Sequence, residues 1–236
     1  MHNQGILTSL RKYRTRDTSD PLENFVTEAF AWLLKNDPAW SLYFLQSLDC
    51  SHASDPAVLQ DAQWSTQNNW GGKFPDMVCE LADPGFAYVF EHKVWSHLHA
   101  DQLNNYRDYA AKQYGPAGFR VILITAHRGQ HAQNPDEALC WEGVYLFIQK
   151  YLSDGRPDTA SRAHYLMEDF LELLDELGLG PIGAFKREEV IGYSTSFRSR
   201  MNHLWERVAV QLQSVASNEE DMGSVFSAAG QSDDFR

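Results

Sequence analysis

Two short polar groups, Pro75-Asp76 and Glu91-His92-Lys93, stand on either side of Ala82-Asp83-Pro84-Gly85, a strong turn signal. If the turn is centred between Asp83 and Pro84, pairing outwards from it brings Asp76 opposite Glu91 on a β-hairpin. Their Cβ atoms would then lie roughly 5 Å apart. Glu91 and Lys93 are two apart on one strand, so they share its face. Opposed carboxylates repel, more so when partly buried, and a divalent cation between them removes the conflict. Mg²⁺ takes hard oxygen ligands, often one or two carboxylates completed by phosphate and water. A lysine beside it can neutralise a phosphate or help to deprotonate a water. These are the parts of metal-assisted phosphodiester hydrolysis: a Lewis acid, an activated water and stabilisation of developing charge. The plainer alternative is a solvated strand face. Against it, Glu91-His92-Lys93 interrupts the otherwise apolar stretch 86–95.

The elements that would position these residues follow from local pattern. Asp20 is a plausible N-cap, with Pro21 at the first helical position and Glu23 at the third. That helix runs to about Lys35, carried by Phe25, Ala29, Phe30, Leu33 and Leu34. Asn36-Asp37-Pro38 ends it, and a second helix covers 39–48. Residues 49–62 read as loop or weak helix. A strand is expected at 63–67, a turn at Trp70-Gly71-Gly72-Lys73, and the hairpin strands at 75–81 and 86–95. A helix follows at 100–113. FRVILITA (119–126) is a continuous apolar run, as in a strand buried on both faces. A short strand at 137–140 leads into a helix through Tyr151, and 161–177 and about 194–215 are amphipathic helices. The fold class is therefore α/β, a mixed central sheet flanked by helices. One domain is expected over 21–216, with its core at about 21–150 and a helical extension at about 151–216. Residues 1–20 are a polar lead. From Ser217 the chain turns polar and loses periodicity, so 217–236 reads as a disordered tail.

Composition narrows the class. The chain has 236 residues, 43% hydrophobic and 13% aromatic, enough for a globular core. Its net charge of -12 excludes a bulk-basic nucleic-acid binder, so any such contact needs a local basic patch or metal ions. Cys50, Cys79 and Cys140 lie far apart with no CxxC, which argues against a structural zinc site and fits a reducing compartment. No secretion signal or membrane span is evident, so a cytoplasmic protein is expected.

With Asp76, Glu91 and Lys93 placed, the pattern P-D…E-x-K resembles the signature of the PD-(D/E)XK nuclease superfamily. Two further segments are similar to it. Gln102-Leu103-Asn104-Asn105-Tyr106 resembles the Q-x-x-x-Y pattern many members carry on the helix after the core strand, and its end residues share one helix face. Glu23-Asn24-Phe25-Val26-Thr27-Glu28 resembles the N-terminal helix on which many members place an additional acid. The resemblance covers roughly residues 20–150 and implies an α-β-β-β-α-β, restriction-endonuclease-like core. It implies metal binding (Mg²⁺ or Mn²⁺) by Asp76 and Glu91, with Lys93 completing the catalytic set. Glu23 would contribute to the metal site, and Gln102 would orient the water or Lys93. The implied partner is nucleic acid, with DNA expected, and a homodimer or protein partner stays open. Bacterial members of this appearance often serve restriction, repair or phage defence.

Alternatives remain beside this reading. Glu28 competes with Glu23, whose place at a helix start also suits the helix dipole. His92, His97 and His99 crowd the hairpin exit, where zinc is the minor reading and a packed His92 the major one. Lys73 can touch a phosphate or be a plain surface lysine. The basic residues of 11–16, and Arg198, Arg200 and Arg207, carry the same ambiguity. All seven tryptophans, Trp32, Trp40, Trp64, Trp70, Trp95, Trp141 and Trp205, are expected in the core. The rival function is a non-catalytic module that keeps the fold to bind nucleic acid or a protein.

Overall fold

The computed structural model describes residues 21–48, 62–82, 85–157, 161–182 and 195–216. The described residues divide between Pro181 and Ile182 into two compact units. Among the described residues the first unit holds helices α1 (Pro21–Asn36) and α2 (Pro38–Ser47), then strands β1 (Gln63–Thr66), β2 (Met77–Leu81) and β3 (Phe86–Lys93). Helix α3 (Gln102–Tyr114), β4 (Phe119–Thr125), β5 (Glu137–Cys140), α4 (Trp141–Ser153) and α5 (Arg162–Glu176) complete it. In the second unit α6 spans Thr195–Ala216. No helix among the described residues is long and apolar enough to cross a membrane. Asp20, most of 49–62, Cys50, the basic residues of 11–16 and the expected tail lie outside the described residues.

The sheet order is β1-β2-β3-β4-β5. Strands β1, β2 and β3 pair antiparallel, whereas β3–β4 and β4–β5 pair parallel. The parallel β3–β4 step needs a crossover, and α3 supplies it. The architecture is thus mixed α/β, a five-stranded mixed sheet flanked by helices.

Strand alternation decides which residues meet which helices. Tyr88, Phe90, Met77, Cys79, Leu81, Ile122 and Ile124 turn to one face, under α1, α2, α4 and α5. Phe30 anchors that layer, edge-on to Phe44 and Trp141 and stacked on Phe170. Ala87, Val89, Val78, Val121 and Leu123 turn to the other face, under Leu103, Tyr106 and Ala110 of α3. Strand β3 lies at the centre and is buried along its whole length.

The hairpin register is the one the turn signal implies. Met77 pairs with Phe90 and Leu81 with Phe86, so the next step outwards places Asp76 opposite Glu91. Asp76 itself sits just before β2, because the strand starts at Met77. Glu91 and Lys93 continue the α3 face of Ala87 and Val89, and His92 goes to the opposite face. Trp40, Trp70 and Trp141 are buried, and Trp32 and Trp64 pack partly buried against the core. Trp95 and Trp205 are exposed, contrary to expectation. Trp95 lies beyond the end of β3, where the chain has left the sheet and alternation no longer assigns a face.

Candidate active site

Four charged side chains converge at the end of β3: Glu23 from the first turn of α1, Asp76 from the lead into β2, and Glu91 and Lys93 from β3. All four are buried. The Lys93 ammonium donates to Glu23 Oε1 at 2.9 Å and lies 2.6 Å from Glu91 Oε1. Glu23 is fixed further by its second oxygen, which accepts the Val94 N–H at 3.1 Å and the Ser96 hydroxyl at 2.7 Å. Glu23 therefore binds the chain as it leaves β3. Glu28, one turn further along α1, is half-buried and does not line the cleft where the four residues meet.

Asp76 and Glu91 are held by different partners. Asp76 Oδ2 accepts the His92 N–H at 2.8 Å and Oδ1 accepts from Gln67 Nε2 at 3.0 Å. Glu91 Oε1 accepts from Gln102 Nε2 at 2.6 Å, and Oε2 accepts the Tyr106 hydroxyl at 2.9 Å. Gln102 turns its other end to the His99 N–H. Its amide thus addresses Glu91 and Tyr106, while Lys93 is held by carboxylates. The Q-x-x-x-Y spacing on α3 has a direct physical use here: residues four apart reach the same carboxylate.

Burial, then the charge of Glu91, pushes the Asp76 carboxyl well above its ordinary value, against the pull of Lys93. Burial raises Glu91 as well, with Lys93 again opposing. For Lys93, burial alone would favour the neutral amine. The charges of Glu91, Asp76 and Glu23 outweigh it and hold the ammonium above its usual range. Tyr106 is raised by burial and by Glu91, so its hydroxyl stays a donor. On the far face His92 is pushed down to about 3, mainly by burial. It is a neutral core residue, bonded to the Thr27 hydroxyl at 2.8 Å and edge-on to Trp141. His97 and His99 are exposed, and among the described residues the three histidines form no group that could hold a metal ion.

Among the described residues, one group of acidic, histidine or cysteine side chains could hold a metal ion: Glu23, Asp76 and Glu91, with ligand atoms within 4.8 Å of one another. The donor set suits a hard divalent ion, being all carboxylate and close to a lysine rather than to thiols. Acceptor capacity also remains, because each carboxylate oxygen offers about two lone-pair positions, and Gln67 Nε2 and the His92 N–H each take one on Asp76. The cluster opens into a cleft of about 510 Å³, whose wall also includes Asn24, Gln67, Lys73, Ser96, His99 and Asn105.

Two of these participants escaped sequence reading. Ser96 lies in the irregular segment after β3, where no periodicity marks it. Gln67 stands just past β1 in a left-handed backbone conformation, φ 55°, which costs a non-glycine residue on the order of 1 kcal/mol or more. From there its N–H donates to the Asp76 carbonyl and its side-chain amide bridges Asp76 and Asn24. If Asp76 ligates a metal, Gln67→Ala is expected to leave the fold intact and to weaken Mn²⁺ affinity roughly 10-fold or more, as loss of a ligand-orienting partner does. Titrating Mn²⁺ against the melting temperature checks this, and an unchanged midpoint refutes the orienting role. Comparison with protein-family models, curated proteins and solved structures finds no match to this chain.

Proposed function

We propose that the protein is a divalent-metal-dependent nuclease of the PD-(D/E)XK kind, hydrolysing phosphodiester bonds in nucleic acid, with DNA the expected substrate. The observation that carries this reading is three buried carboxylates within common ligating reach, joined to Lys93, at the floor of an open cleft. The order α1, α2, β1–β3, α3, β4 supports it as well, since apart from the added α2 it is similar to the α-β-β-β-α-β core that the sequence motifs imply. Burying this much charge is costly unless something compensates it, and one lysine against three carboxylates leaves a negative excess suited to a cation.

Glu23, Asp76 and Glu91 would hold Mg²⁺ or Mn²⁺, which when bound supplies Lewis-acid polarisation of the phosphate and a more acidic water. Lys93 offers its ammonium to the charge that develops on the phosphate or to the attacking water. Gln102 and Tyr106 fix Glu91, and Gln67 and the His92 N–H fix Asp76. Held this way, the carboxylates need little rearrangement as charge develops.

The rival reading, a binding module without catalysis, has one observation in its favour: each carboxylate already accepts hydrogen bonds within the protein. A cleavage assay separates them. Purified protein with Mg²⁺ or Mn²⁺, offered linear, nicked, branched and single-stranded DNA and RNA, is expected to cut at least one, and EDTA to stop it. The metal concentration for half-maximal rate should fall as pH rises. Burial raises the Asp76 and Glu91 carboxyls above the ordinary range, so protons compete with the metal for them, and the deprotonated forms are the ligands. Binding without cleavage under any metal would favour the module.

A further inference from the structure

Trp70-Gly71-Gly72-Lys73 is a closed turn. The Trp70 N–H donates to the Lys73 carbonyl at 2.7 Å, and the Lys73 N–H to the Trp70 carbonyl at 3.3 Å. Gly71 and Gly72 have φ of +63° and +87°, where L side chains are strained, and nothing lies within 4 Å of a Cβ built on either. Glycine is required here by the backbone, and the space around the tip is open.

The base of the turn is firmly fixed. Trp70 is buried, stacks on Tyr109 with ring centroids 4.7 Å apart, and meets Tyr106 edge-on at 6.4 Å. Tyr106 is also the residue whose hydroxyl bonds Glu91 and the Phe74 carbonyl. Helix α3 thus fastens the turn and the carboxylate cluster to one support. Gly72 and Lys73 line the same cleft as Asp76 and Glu91. Lys73 is exposed and forms no ion pair with the described residues. Lys93, the other lysine of the cleft, is already engaged by Glu23 and Glu91.

We propose that Lys73 is a phosphate-binding residue, holding a nucleic-acid backbone phosphate next to the one at the carboxylate cluster. This rests on the nuclease reading above and adds how the polyanion is retained. A cleft with three carboxylates in a chain of net charge -12 repels nucleic acid, and a cation at its rim lowers that barrier. Lys73 is three residues from Asp76, a chain span of about 11 Å at most, and so within reach of a neighbouring phosphate. A flexible ammonium binds phosphate as a point charge, without reading bases, so the contact is independent of sequence. The open space over Gly71 and Gly72 leaves room for the strand to pass.

The test uses the full chain and fluorescently labelled single-stranded DNA, duplex DNA and RNA, with Ca²⁺ in place of Mg²⁺ to block turnover. Anisotropy is read across a salt series for wild type, Lys73→Ala and Lys73→Arg. Lys73→Ala is expected to weaken binding roughly fivefold, about the ceiling for one exposed ion pair. It should also reduce the slope of log K against log salt by about 0.7–0.9, the loss of one phosphate contact. Lys73→Arg should retain both. All three proteins should show the same rise in melting temperature with Ca²⁺, since Lys73 is not a metal ligand. If wild type binds and cuts while Lys73→Ala keeps its affinity and salt slope, the phosphate contact is wrong and the nuclease reading stands. If wild type binds none of the three nucleic acids, the nuclease reading falls and this inference falls with it.

Discussion

Lys93→Met is expected to lower cleavage by about 10²- to 10⁴-fold, the usual range for removing a group that transfers a proton or stabilises charge in the transition state. Methionine roughly keeps the length and apolar stem of the lysine and removes only the ammonium. The structure adds a consequence that the motif alone does not show. Lys93 is the cation between Glu23 and Glu91, so its loss leaves buried carboxylates uncompensated, a change that typically costs about 3–5 kcal/mol. The metal-free variant should therefore melt well below wild type. Millimolar Mg²⁺ should recover much of that difference by placing positive charge at the same point. Rates are to be compared in Mg²⁺, below the melting temperature measured under the same conditions. A fully folded Lys93→Met protein that cuts as fast as wild type would remove Lys93 from the mechanism.

How much of this the sequence could show depended on how local each feature is. The hairpin was legible because the turn signal in the sequence at 82–85 and the alternating strands leave few registers open, and a one-residue slip would put Val78 and Val89 on the wrong face. That register brought Asp76, Glu91 and Lys93 to one side. The helices were legible mainly from their periodicity: the amphipathic run 161–177 is α5, which Ser161 caps by accepting the His164 N–H. Glu23 could be favoured over Glu28 only weakly in sequence, since choosing between them requires knowing where α1 crosses the sheet. The structure brings Glu23 to Lys93, Val94 and Ser96 and leaves Glu28 off the cleft. Gln67 and Ser96 carried no signal, because each acts through a contact between segments that no periodicity relates. The misplaced Trp95 has the same origin, an irregular segment whose direction is set by what Glu23 holds.

Asp76→Asn and Glu91→Gln are expected to move stability in opposite directions while both abolish cleavage. Each removes one of two facing charges, so the bare sequence suggests relief of repulsion in both cases. The surroundings differ, however. Asparagine at 76 can still accept the His92 N–H with its oxygen. Its amide can donate to the Gln67 oxygen once that side chain turns over and Asn24, which now accepts from Gln67, turns over with it, so the network survives with less charge. The metal-free protein should then be as stable as wild type or more so, by about 0.5–2 kcal/mol, as when a strained functional site is relieved. Glutamine at 91 can still accept from Lys93 and Gln102, and the Tyr106 hydroxyl can turn its proton to the Phe74 carbonyl, but the contact with the Lys93 ammonium loses its charge-assisted strength. Losing that compensating carboxylate should cost about 1–3 kcal/mol. In wild type, Ca²⁺ at a hundred times its dissociation constant adds about 2.7 kcal/mol by mass action, roughly 5–11 °C in melting temperature for a chain of this size. Both variants should lose most of that gain. Melts of the three proteins in EDTA and in millimolar Ca²⁺ therefore give a signature with two independent parts. A binding module with a purely structural cluster predicts that Asp76→Asn destabilises and that Ca²⁺ shifts none of the three proteins, and that result would retire the metal site.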